Sequence, residues 1–348
     1  MKKSIVAIYS IIHFVVDLSC AVLITNMISH KTGQDLNVFI AIIIYNFFAF
    51  AVQLPVGIIA DKANKNAICS AIGCLLVAVA YGFANYEILA CLIAGLGNSL
   101  FHVGGGIDVL NISDKKATLS GIFVSTGAMG IFLGQKSGSI GAEKNYLLIV
   151  LLIISALLLI QLYLKVRDRV NNEEVIIPTI NKKMLIAIMC LIVTVVIRSY
   201  VGLILAFEWK SSFILALISI FVVVLGKMLG GVIGDRIGFI KTSLFSLISS
   251  AVLFLFAFNN SILGVIAILL FNMTMPITLT ALSNLLSNNK GMAFGLLTLA
   301  LFIGAIPVFF GYTKMIFTPL GLFGITIVSA FILYGGIRIY NELEMEED

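Results

Sequence analysis

The chain has 348 residues, of which 60% are hydrophobic and only 11% charged, with a formal net charge of +5. A water-soluble domain of this size needs far more charge to cover its surface, so the composition excludes a soluble globular protein and indicates a chain that crosses the bilayer many times. The small positive balance is no sign of nucleic-acid binding, and the five cysteines (Cys20, Cys69, Cys74, Cys91 and Cys190), all in apolar segments at no metal-ligand spacing, read as packing residues.

A helix needs about 20 apolar residues to cross the hydrocarbon core. Cutting the sequence at its polar breaks predicts twelve spans, at about 4–28, 37–60, 67–84, 87–110, 118–140, 146–165, 184–206, 212–234, 242–258, 261–286, 292–313 and 319–339. The loops between them are too short for a separate soluble domain. The first stretch, "MKKSIVAIYSIIHF", contains His13 and Asp17 and no clear small-residue cleavage site, so it is read as a span and not a cleaved signal.

On that first span Tyr9, His13 and Asp17 follow one another at i, i+4 and form one stripe. A carboxylate at a helix centre costs about 2.5–3.5 kcal/mol on insertion scales, so it is expected to face water or a partner. The stripe is read as a protonatable site, with Asp17 and His13 as proton-coupling residues; the alternative is a His–Asp pair that ties helices together. On the second span Tyr45, Asn46 and Gln53 are candidate substrate contacts, Asn46 and Gln53 sharing a face seven residues apart. The turn that follows, "PVGIIADKANKN", carries Gly57, Asp61 and Lys62.

The fourth span holds "NSLFHVGGGIDVLN" at 98–111. Asn98 and His102 share a face at i, i+4 and are candidate substrate contacts. The glycines Gly104, Gly105 and Gly106 let another backbone come close and permit local unwinding where a cavity lies alongside. Asp108 lies off the face of His102 and is either a gate partner or a substrate contact. On the fifth span Gly127, Gly130, Gly134 and Gly138 form a close-packing seam. The segment 166–183 reads as a linker. On the seventh span Arg198 is too deep to snorkel easily; its partner is either Asp17 or an anionic substrate. Lys227, on the eighth span, is close enough to an end to snorkel.

The second half repeats the first. "LGGVIGDRIGFI" at 229–240 places Gly231, Asp235 and Arg236 on Gly57, Asp61 and Lys62 with an offset of 174, since 235 − 61 = 174. The same offset carries Asn98 to Asn272, Lys116 to Lys290 and Gly121 to Gly295. Two parallel six-helix repeats are therefore expected, an N-terminal bundle over 1–165 and a C-terminal bundle over 184–348 with a short acidic tail, with a substrate site between them. With the N-terminus inside, inner loops receive fifteen Lys and Arg and outer loops four, which predicts both termini in the cytoplasm.

An all-α membrane protein of two pseudo-symmetric six-helix bundles, with a G-x-x-x-D-[RK] turn after the second and eighth spans, resembles the major facilitator superfamily. The resemblance implies secondary transport by rocker-switch alternating access, with Gly57, Asp61, Lys62, Gly231, Asp235 and Arg236 in gating; Asp108 joins them as a gate candidate only by its place near the cytoplasmic end of its span. In each turn the glycine would permit close helix approach and the aspartate would cap a neighbouring helix N-terminus. The first turn departs from the family pattern at Asn64, where a glycine is usual. The glycine seam is similar to the antiporter signature of that superfamily, with Gln135 in place of its proline. "HFVVD", "GLGNSLFH" and "IRSYVGL" resemble the fosmidomycin-resistance branch of drug-efflux proteins, except that Val103 replaces a usual proline.

The expectation is a monomeric, proton-coupled exporter in the plasma membrane for a small organic, anionic molecule or drug, with protons and the lipid bilayer as its other partners and no nucleic acid. No cofactor or metal is expected. An importer or facilitator is the alternative. A non-transporting receptor or scaffold would need a soluble signalling segment. An enzyme would need a nucleophile–base pair or a phosphate-cradling loop.

Overall fold

A computed structural model of the protein describes residues 2–29, 36–138, 145–166, 175, 180–313 and 316–347. Most of the expected linker (167–174 and 176–179) and the loop cations Lys31, Lys144, Arg167, Arg169 and Lys314 lie outside the described residues. Among those described the chain is helical with no strand: α1 (Lys2–Ser29), α2 (Leu36–Asn46), a π-helical turn (Phe47–Ala51), α3 (Gln53–Ala63), α4 (Asn66–Ala80), α5 (Glu87–Ile112), α6 (Ala117–Gly138), α7 (Tyr146–Val166), α8 (Lys182–Ile204), α9 (Phe213–Ile237), α10 (Phe239–Phe254), α11 (Ser261–Asn272), α12 (Thr274–Leu285), α13 (Lys290–Phe309) and α14 (Pro319–Glu347).

Counting α2–α3 and α11–α12 as one span each, eleven helices among the described residues are long and apolar enough to cross a membrane, against the twelve expected. The remaining segment, α10, has 16 residues. That is about 24 Å of α-helix, short of a hydrocarbon core of about 30 Å. Tighter turns extend it, with Leu255, Phe256 and Ala257 each donating to the carbonyl three residues back.

Local sequence explains the boundaries. The α11–α12 break at Met273 falls where Pro276 has no N–H for the Asn272 carbonyl four residues earlier and its ring crowds that group. Asn181 and Asn260 cap α8 and α11, their side chains accepting from Met184 and from Ile262 and Leu263. Asn64 ends α3 at φ 49°, a left-handed conformation that asparagine tolerates almost as glycine does, which accounts for its place in the first turn.

The chain divides into two compact units. The first comprises Met1–Asp114, Thr126–Ile176 and Asn288–Leu299; the second comprises Lys115–Ser125, Ile177–Ser287 and Ala300–Asp348. In the first, α4 packs on both α5 and α7, and α1 and α2 pack on α5, around the buried side chains of Tyr9, Phe101, Ile107, Leu152 and Leu159. Gly73 and Gly97 bring α4 and α5 into backbone contact, since a Cβ on either would run into the other's carbonyl. In the second unit α14 packs on α8 and α10, and α11 on α9 and α10, around Leu191, Leu247, Phe254 and Ile268. Leu147, Leu157 and Leu164 on α7, Phe221 on α9 and Phe331 on α14 are all exposed. Outward apolar faces of this extent suit acyl chains and not water.

Candidate functional site

His13 and Asp17 are buried on α1, and the face that carries them meets α5. His13 Nε2 lies 3.1 Å from Asp17 Oδ2. From α5, His102 Nε2 lies 2.8 Å from His13 Nε2 and 3.6 Å from Asp17 Oδ1. Asn98, one turn earlier on α5, donates from Nδ2 to Asp17 Oδ1 at 3.0 Å. The structure thus brings together His13, Asp17, Asn98 and His102 from segments more than eighty residues apart.

The bonding fixes part of the chemistry. His102 Nδ1 is 2.9 Å from the carbonyl of Asn98, which can only accept, so Nδ1 carries a hydrogen and donates it. Between the two Nε2 atoms one must donate. The cluster therefore holds at least one proton within reach of three basic centres: the two Nε2 atoms and the Asp17 carboxylate. Gly127 on α6 backs this arrangement, because a Cβ there would collide with Asp17 Oδ2 and His13 Nε2. Gly130, Gly134 and Gly138 seat the same helix against the α1 carbonyls of Phe14, Leu18 and Val22.

Tyr9, the first member of the stripe, turns to a second carboxylate. Its hydroxyl donates to Asp108 Oδ2 at 2.5 Å, and Asn66 Nδ2 donates to Asp108 Oδ1 at 2.8 Å. Asp108 thereby ties α1, α4 and α5 together. Asn66 was not among the sequence candidates; it sits just beyond the Asp61 turn, and only the fold places it beside Asp108. The unwinding that Gly104–Gly106 would permit does not occur, and α5 is continuous through them. Gly104 is pressed against the Asn66 carbonyl and Ser70, and Gly106 against the Phe294 ring, so these glycines serve close packing.

Tyr45 and Asn46 are half-buried, and Asn46 donates to the Ile42 carbonyl at 2.8 Å. Gln53 is fully buried and donates to the Ala49 carbonyl. The π-turn between them adds a residue to that stretch, so Gln53 is rotated off the face of Asn46 by about a third of a turn, contrary to the face-sharing expected from an uninterrupted α-helix.

In the repeated turns, Asp61 accepts from the backbone N–H groups of Gly291 (2.7 Å) and Met292 (2.9 Å), at the start of α13. Asp235 accepts from those of Ala117 (2.7 Å) and Thr118 (2.9 Å), at the start of α6, and from the Thr118 hydroxyl. Gly57 and Gly231 permit the approach, since a Cβ at either would meet the backbone of Gly291 or of Ala117. Lys62 and Arg236 are exposed at the ends of α3 and α9.

In the second unit Arg198 is 8% exposed. Among the described residues its hydrogen bond goes from Nη1 to Thr278 Oγ1 at 3.0 Å, with no carboxylate paired to it. Lys227 does not snorkel: its ammonium donates inward to the Val124 carbonyl at 3.2 Å.

No protein-family model matches the sequence, and comparison with curated proteins finds no match. Solved structures similar in fold include two of one transporter. One is a crystal structure of a variant of the E. coli fucose:proton symporter FucP, with a TM-score of 0.67 and 13% identity over 96% of this chain and 98% of that one. The other, a structure of the major facilitator superfamily transporter FucP in the outward conformation, has a TM-score of 0.64 and 14% identity over 95% of this chain and 99% of that one. The chain shares the fold of these transporters.

Proposed function

We propose that this protein is a secondary active transporter that moves a small organic anion out of the cell in exchange for protons, by rocker-switch alternating access. The halves 1–165 and 184–348 would rock about the linker 166–183, with both termini in the cytoplasm, the chain monomeric and the plasma membrane its site. The observation that carries this reading is the buried His13–Asp17–His102 cluster. Ionisable groups are costly in a span and mark ion pathways when retained, and this cluster sets three basic centres, the two Nε2 atoms and the Asp17 carboxylate, within reach of one shared proton. Arg198 supplies the anion preference, and Asn98, His102, Tyr45, Asn46 and Gln53 are the substrate contacts. Asp61 and Asp235, with Gly57, Lys62, Gly231, Arg236 and Asp108, form the gate: each aspartate holds a helix N-terminus in one state and releases it in the other.

The test uses proteoliposomes carrying an internal pH dye, with organic anions selected by their ability to raise the melting temperature of the purified protein. Wild-type protein is expected to move protons when such an anion is added, and Asp17→Asn to exchange the anion without proton movement. Proton movement undiminished in Asp17→Asn would end the assignment. The neighbours' proton symport favours a second reading, import, which the same assay separates by the sign of the proton flux.

A further inference from the structure

The two histidines and the carboxylate are also a ligand set. We propose that His13, Asp17 and His102 form a binding site for one divalent first-row transition-metal ion of the Zn2+, Co2+, Fe2+ or Mn2+ class. The donor atoms already stand at coordination spacing. Metal–nitrogen and metal–oxygen bonds of about 2.0–2.2 Å place neighbouring ligand atoms about 2.8–3.6 Å apart in octahedral or tetrahedral geometry. The observed separations are 2.8 Å between the two Nε2 atoms, 3.1 Å from His13 Nε2 to Asp17 Oδ2 and 3.6 Å from His102 Nε2 to Asp17 Oδ1. One ligand atom from each residue lies within 4.8 Å of the others.

Three further features fit. His13 and Asp17 stand at i, i+4 on one helix, the spacing by which a single helix offers two ligands to one ion. The outer hydrogen bonds are those a metal site uses: His102 donates its Nδ1 hydrogen to the Asn98 carbonyl, which leaves Nε2 as the coordinating atom, and Asn98 Nδ2 holds the carboxylate at 3.0 Å. Two imidazoles and a carboxylate suit a borderline divalent ion better than a hard Mg2+ or Ca2+ or a soft Cu+. Three protein ligands leave a position for water or a solute oxygen. The His102 side chain is 13% exposed, against 6% for His13 and 8% for Asp17, and marks the side from which an ion would arrive. Sequence spacing hid the set because His102 lies 89 residues from His13.

The site does not depend on what is transported and is tested without transport. Metal-free protein in detergent, titrated with Co2+ at constant pH, is expected to bind one equivalent per chain with visible d–d bands that stoichiometric Zn2+ removes. Asp17→Asn and His102→Gln are each expected to weaken binding at least about tenfold, while His30→Gln, which removes the third of the chain's three histidines, leaves it unchanged. A rise in wild-type melting temperature with Zn2+ gives the same answer should either site variant fail to fold. Absence of Co2+ bands and of a Zn2+-induced shift in the wild type would overturn the proposal, as would bands that survive both site substitutions or vanish in His30→Gln. Its failure would leave the proton flux of Asp17→Asn as the separate measure of coupling.

Discussion

Arg198 and Lys210 show how differently a buried cation can be accommodated. A guanidinium offers five N–H donors, and Arg198 satisfies one of them on Thr278 while almost wholly buried. An uncompensated buried charge opposes folding, so its retention fits a role in holding an anion. Arg198→Met is therefore expected to raise the melting temperature by a few degrees and to abolish saturable transport of organic anions, measured by thermal unfolding and by uptake into proteoliposomes; a lower melting temperature would mark Arg198 as a structural residue. Lys210 is better partnered, donating to the Leu205 carbonyl at 2.7 Å with its ammonium 5.5 Å from the Phe207 ring centre and 5.8 Å from that of Trp209. Burial still pushes its pKa down to about 8 from the ordinary 10.5. Between those values the unfolded chain binds the proton and the folded one has released it, so stability rises with pH across that window. Melting temperature, corrected for the Lys210→Met background, is expected to climb from pH 8 to pH 10. At this scale the sequence was most readable where a polar side chain stood alone in an apolar run, as Asp17, His102 and Arg198 do. It was least readable where the meaning lay in a partner, as for Asn66 beside Asp108.

At the scale of helices, glycine positions decide which pairs come close. The α6 seam was legible because its glycines recur at helical spacing, but nothing in that spacing said that Gly127 would face the His13–Asp17 pair. Gly127→Ala must push α1 and α6 apart or disturb that pair, and is expected to lower the melting temperature and weaken Co2+ binding together. Gly202→Ala, on α8 with open space around its would-be Cβ, is expected to be neutral or stabilising by up to about 1 kcal/mol from helix propensity. Equal losses in both would mean that close packing at Gly127 is not what matters. Two element-level features were hard to read from the sequence for related reasons. The glycine run in α5 reads as a weak helix when taken alone, yet contacts with α4 and Phe294 keep it helical. The π-turn at Phe47–Ala51 has no marker in its wholly apolar sequence, and it is what separates Gln53 from the Asn46 face.

Across the whole molecule the internal repeat is visible in the bonding as well as in the sequence. Adding 174 to Asp61 gives Asp235, and adding it to Ala117 and Thr118 gives Gly291 and Met292, so the two capping arrangements are images of each other under one shift. The chemistry is not duplicated: the same shift carries His13, Asp17 and His102 to Ala187, Leu191 and Pro276, and carries Arg198 back to Ile24. Duplicated caps and ionisable groups present in one half only should therefore separate under mutation. Asp61→Ala and Asp235→Ala each remove two backbone acceptor bonds at a helix start, a loss of about 0.5–2 kcal/mol. Both are expected to change the transport rate while leaving its dependence on the pH gradient intact. Asp17→Asn is expected to do the reverse, keeping counterflow of the anion and losing the dependence. Rates measured at two imposed pH gradients for all three variants decide the matter. Loss of gradient dependence in either cap variant would mean that gate and proton site are one device, and the division between a symmetric frame and chemistry confined to single copies would have to be abandoned.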